Sequence, residues 1–83
     1  MFRANRDGAL VEVGARTQKM FDMYGIDRAQ QILGQENWDS IIAAPHANNG
    51  TTVFFEAEGA DYLVTHAPTA NDEINFYLTR LPR

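Results

Sequence analysis

None of the 83 residues is a cysteine, and this absence limits how so short a chain can be stabilised. It excludes disulfide bridges, a thiolate zinc site and a cysteine nucleophile. A domain of this size buries only about 60% of the surface that its unfolded chain exposes. Apolar residues make up 45% of the sequence and aromatic residues 11%, which is more than disordered chains contain. The sequence therefore predicts a single globular domain, 1–83, held together by one hydrophobic core.

The lack of cysteine also bears on the compartment. The segment from Met1 to Arg6 has no apolar stretch typical of a secretion signal. No apolar run in the sequence approaches the length of a membrane span. We therefore expect a cytoplasmic protein that does not interact with membranes.

The acidic residues are concentrated in the second half of the chain. The net charge is −4 overall, with about +1 on 1–34 and about −5 on 35–83, counting side chains alone. A phosphate backbone would be repelled by the second half, whereas a basic protein would be attracted to it. We therefore expect a basic protein partner and do not expect direct binding of nucleic acid. Solubility is the simpler alternative explanation for the charge.

The first half has the periodicity of helices. Its apolar residues recur at spacings of three and four, which predicts a helix over Ala15–Tyr24 ended by Gly25. The preceding segment has two interpretations. The helix could start earlier with Asp7 as its N-cap, or 6–8 could form a turn followed by a short strand at 9–13.

Two more short helices are predicted between 27 and 44. Asp27 can cap a helix over Arg28–Leu33, and Gly34 can end it. The third, Asn37–Ala44, precedes a proline. Its spacing predicts that three apolar residues are buried in the core: Trp38, Ile41 and Ile42.

The second half is typical of a β-sheet. Residues 51–57 and 62–65 are rich in β-formers and flank a short turn, which predicts a hairpin. Residues 73–81 fit either a strand or a helix, and their aromatic and β-branched content favours a strand. The predicted fold is α+β, with N-terminal short helices packed on a C-terminal antiparallel three-stranded meander.

Residue types that support catalysis are scarce. The two histidines are His46 and His66, and their spacing matches no metal-ligand motif. His66 could form an acid–base cluster with Asp61 or Glu58 and a threonine hydroxyl. No glycine-rich phosphate loop or serine elbow is present. We expect a protein without enzymatic activity, cofactor or metal. The alternative is a small metal-independent nuclease-like enzyme that uses His46 or His66.

A second alternative comes from the glycine that joins the first two predicted helices. Such a corner resembles a helix-turn-helix. The side chains of Arg28, Gln30 and Gln31 could then contact base edges. This interpretation makes the chain a DNA-binding regulator, although its low isoelectric point and the lack of a basic patch favour a plain corner between helices.

Alternation along the predicted strands separates two aromatic residues from the core. Phe54 lies on the other face from Val53 and Phe55, and Tyr77 lies on the other face from Phe76. Together with nearby carboxylates, these residues form the predicted partner-binding set: Phe54, Glu56, Glu58, Asp61 and Tyr77.

Our main functional expectation is therefore a small acidic protein-binding module. Its partner would be a basic protein that handles nucleic acid, and it would inhibit or regulate that partner. Accessory proteins of phages and mobile elements are often small acidic proteins of this kind. This comparison is an analogy and rests on no particular residue. Association with a second copy of the chain is the other interaction considered.

Overall fold

The computed structural model describes residues 1–44, 53–57, 59–69 and 71–82. These residues form five strands and three helices. In chain order, they are β1 (Phe2–Ala4), β2 (Leu10–Val13), α1 (Ala15–Tyr24), α2 (Gln30–Leu33), α3 (Gln35–Ala43), β3 (Val53–Ala57), β4 (Ala60–Pro68) and β5 (Ile74–Arg80).

All five strands belong to one antiparallel sheet, in the order β2-β1-β5-β4-β3. The first strand therefore lies inside the sheet, where Phe2 pairs with Phe76 of β5 and with Val13 of β2. β2 and β3 are the edges. The predicted three-stranded meander with helices before it is wrong in this respect, because the N-terminal segment contributes two strands.

The turn between β1 and β2 explains why this segment is a hairpin and not a helix. The side-chain oxygen of Asn5 accepts hydrogen bonds from the backbone N–H groups of Asp7 and Ala9, at 3.0 and 3.1 Å. Gly8 has a φ of 87°, a conformation that glycine adopts without steric cost. Asp7 is therefore a turn residue and does not cap α1. The turn-and-strand alternative describes this segment correctly.

α1 has the predicted bounds, and Gly25 ends it in the left-handed conformation. α2 is shorter than predicted because the first residues of the predicted helix pair with the β1–β2 turn instead. Arg28 forms an isolated β-bridge with Ala9, and the Ala29 N–H donates to the Gly8 carbonyl at 2.8 Å. Only four residues remain helical.

The helices cover one face of the sheet. Phe2 stacks on Phe76 with ring centroids 4.8 Å apart and meets Phe21 of α1 edge-on at 5.2 Å. The ring of Trp38 in α3 packs near that of Phe76, with the two ring centroids 6.0 Å apart. Trp38 and Ile41 are buried as predicted, and Ile42 is half-buried against the same cluster.

The opposite face of the sheet, which we call the open face, carries the alternate residues of each strand. Every buried residue of the five strands lies on the helix side, as the strand registers require. The longest strand, β4, runs to Pro68, well beyond the predicted 62–65. It therefore pairs with β5 along the whole length of β5, from Arg80 to Ile74.

Candidate functional site

An exposed apolar cluster occupies the open face where β3, β4 and β5 lie side by side. Phe54 is directly opposite Leu63, and Tyr77 is opposite Thr65, one pair farther along β4. Diagonal neighbours on a sheet are within reach of an aromatic side chain. We call Phe54, Leu63 and Tyr77 the aromatic patch. Phe54 is 69% exposed and Tyr77 is 42% exposed, so both lie outside the core, as alternation predicted.

Leu63 was not among the residues predicted to bind a partner. Its strand was expected to start at Tyr62, which packs against the core. Alternation from Tyr62 would have placed Leu63 on the open face beside Phe54. Alternation alone thus assigns Leu63 to the open face, whereas its position opposite Phe54 depends on the register between β3 and β4.

Two carboxylates adjoin the aromatic patch. Glu56 lies directly opposite Asp61 in the register of β3 and β4, on the same face as Phe54. Two acidic side chains therefore lie side by side on the open face. Glu58, predicted to belong to the same group, lies outside the described residues.

The other end of the open face is charged but compensated. Arg3 of β1 forms ion pairs with Glu12 of β2 and with Glu73, which precedes β5. The aromatic patch and the acidic pair lie on the other part of the sheet, which β3, β4 and β5 form.

The histidines do not form a catalytic cluster within the described residues. His66 is on the helix side of the sheet, where its ring lies 6.4 Å from that of Phe76. Its Nδ1 atom is buried without a hydrogen-bond partner in the described part of the chain. Burial lowers the pKa of His66 below the usual 6.5. Asp61 points to the opposite face, and His46 lies outside the described residues.

The three side chains considered for DNA contacts are engaged within the chain. Arg28 Nη1 and Gln30 Nε2 both donate to the carbonyl of Asp7, at 3.1 and 2.9 Å. Gln31 accepts from the N–H groups of Asp27 and Arg28, both at 2.8 Å, and so replaces the predicted cap. The contacts of Arg28 and Gln30 join the corner between α1 and α2 to the β1–β2 turn.

A small cavity lies beside the β4–β5 connection, between Arg6, Ile42 and Asp72. Its volume of about 30 Å³ is far below the several hundred Å³ typical of small-molecule sites. The cavity is therefore too small for an organic substrate. Among the described residues, no group of three or more potential metal ligands is found.

Comparison with known proteins does not assign the chain to a family. No protein-family model, curated protein or solved structure matches it. No helix in the described ranges is long and apolar enough to cross a membrane.

Proposed function

We propose that this protein is a protein-binding module that recognises a basic partner through the open face of its sheet. The observation that carries the proposal is the exposed Phe54, 69% accessible, in register with Leu63 and flanked by the opposed carboxylates of Glu56 and Asp61. Exposed aromatic residues beside polar groups are typical of the central residues of interfaces.

The aromatic patch and the acidic pair have different roles in this proposal. Phe54 and Tyr77 provide the apolar area that is buried on binding, with few rotatable bonds to immobilise. Glu56 and Asp61 attract the partner before contact and therefore act mainly on the association rate. A partner that matches both has exposed lysine or arginine residues around an apolar recess, as nucleic-acid-binding proteins often do.

Partner identification uses the chain as bait, together with a double variant of the patch. Phe54→Ala with Tyr77→Ala should abolish co-purification of the partner, because both changes remove area at the centre of the interface. The matched control, Met23→Ala with Tyr24→Ala, changes two exposed residues on α1 and should leave it intact. Equal recovery of the same protein by both double variants would contradict the proposed surface.

Charge reversal then tests the electrostatic part. Glu56→Lys with Asp61→Lys should slow association roughly tenfold at low salt. Glu36→Lys with Asp39→Lys changes the charge equally on the exposed side of α3 and should have a smaller effect. The difference should vanish at high salt, since the screening length falls from about 10 Å at 0.1 M to about 3 Å at 1 M. Association kinetics at two salt concentrations provide the measurement. Rates insensitive to salt and to both reversals would exclude a role for the acidic pair.

A further inference from the structure

The positively charged side chains of this acidic protein differ in whether they have partners within the chain. Arg3 and Arg6 form ion pairs with carboxylates, and Arg28 donates to a backbone carbonyl. Within 1–44, 53–57, 59–69 and 71–82, three cations have neither an ion pair nor a hydrogen bond: Arg16, Lys19 and Arg80. All three line a single groove.

This groove, which we call the basic groove, lies between α1 and the ends of β4 and β5, on the helix side of the sheet. Arg16 and Lys19 are three residues apart on α1 and therefore share one side of the helix. Arg80 faces them from β5. The volume of the basic groove is about 550 Å³, within the usual range for small-molecule sites.

The remaining lining makes the groove amphipathic. Tyr62, directly opposite Arg80 in the sheet register, lines it together with Met20 and Leu78. No carboxylate from the described residues lines it. Cations from a helix and a strand thus surround an aromatic and aliphatic wall, in a chain whose net charge is −4.

We propose that the basic groove binds a nucleoside diphosphate. The two arginines and the lysine match a diphosphate, which carries about three negative charges near neutral pH. Guanidinium groups suit phosphate oxygens because they can donate two parallel hydrogen bonds. Tyr62, Met20 and Leu78 provide the apolar wall for a planar base. The basic groove is on the opposite side of the sheet from the aromatic patch, so this proposal does not depend on the proposed function.

The experiment is calorimetric titration of the full chain with adenosine diphosphate, pyrophosphate and adenosine at constant ionic strength. Adenosine diphosphate should bind more tightly than pyrophosphate, since it uses both the cations and the apolar wall, and adenosine alone should bind weakest. The variant Arg16→Gln, Lys19→Gln, Arg80→Gln should lose at least tenfold in affinity for the diphosphate. Single Arg6→Gln, exposed and away from the basic groove, is the control for lost charge and should bind normally.

A second variant separates the two halves of the site. Tyr62→Leu should weaken the binding of adenosine diphosphate and leave the binding of pyrophosphate unchanged. The ratio of the two affinities is informative even if the variant is less stable. Absence of saturation by about 10 mM diphosphate, or equal binding by the triple variant, would overturn the proposal. So would tight, salt-dependent binding of a single-stranded oligonucleotide without binding of the diphosphate, because the cations would then serve a polymer backbone.

Discussion

At the scale of single residues, Gly8 is the position where the backbone tolerates least change. Its φ of 87° is unfavourable for other residues, and a Cβ atom there would collide with the side chain of Gln30. Gly8→Ala should therefore lower the free energy of unfolding by about 1–3 kcal/mol. Gly14→Ala is the control. Gly14 has an extended backbone, with φ −60° and ψ 150°, which alanine also adopts, and a Cβ atom there would make only ordinary contacts. Denaturant unfolding that ranks the two variants equally would contradict this account.

His66 gives the protein a pH dependence with a definite sign. Burial lowers its folded-state pKa below 6.5, so the unfolded chain binds the proton more readily than the folded one. Stability is then complete above the unfolded pKa and falls as the pH drops below it. The free energy of unfolding should decrease between about pH 7.5 and pH 5, and less so in His66→Gln. Parallel pH profiles for the two proteins would show that His66 titrates normally.

The exposure of single residues was partly predictable from sequence. Alternation placed Phe54 and Tyr77 away from the core, because successive strand side chains point to opposite faces whatever the pairing partners. The opposition of Glu56 and Asp61 did not follow, because the predicted turn included Asp61, whereas β4 begins at Ala60. The convergence of Arg16 and Lys19 with Arg80 did not follow, since it depends on which strands lie beneath α1.

At the scale of elements, Trp38 is one of the two buried side chains by which α3 packs into the core. Trp38 is 3% exposed and lies over Phe76. Trp38→Ala should cost about 3–5 kcal/mol, a large share of the stability of so small a protein. Phe54→Ala, which truncates an exposed aromatic, should change stability by less than about 0.5 kcal/mol. Thermal melts should separate the two variants clearly; similar melting temperatures would mean that Trp38 does not anchor α3.

The helices differed in how far the sequence predicted them. α1 was bounded correctly because its apolar spacing is long enough and Gly25 ends it unambiguously. α2 lost its first residues to contacts with Gly8 and Ala9, which are distant in sequence. Local propensity contains no information about such contacts, so tertiary structure determined where α2 begins.

At the scale of the whole molecule, the sheet order could not be predicted from local patterns. β1 has only three residues, too few for a period-two signal. Phe2 and Ala4 are both fully buried on the helix side of the sheet, where Phe2 packs against Phe21 of α1. The strand predicted over 73–81 followed from composition and corresponds to β5, Ile74–Arg80, whereas the five-stranded topology required long-range pairing.

The position of β1 beside β5 has a consequence for how the protein folds. Phe2 pairs with Phe76, 74 positions farther along the chain, so this ladder closes a loop that contains most of the molecule. Loop closure of that length is entropically costly and slow compared with formation of a hairpin. On the ribosome, the sheet cannot be completed until β5 has emerged. Until then, the β1–β2 hairpin lacks its neighbour in the sheet, and the nascent chain exposes a strand edge to other proteins.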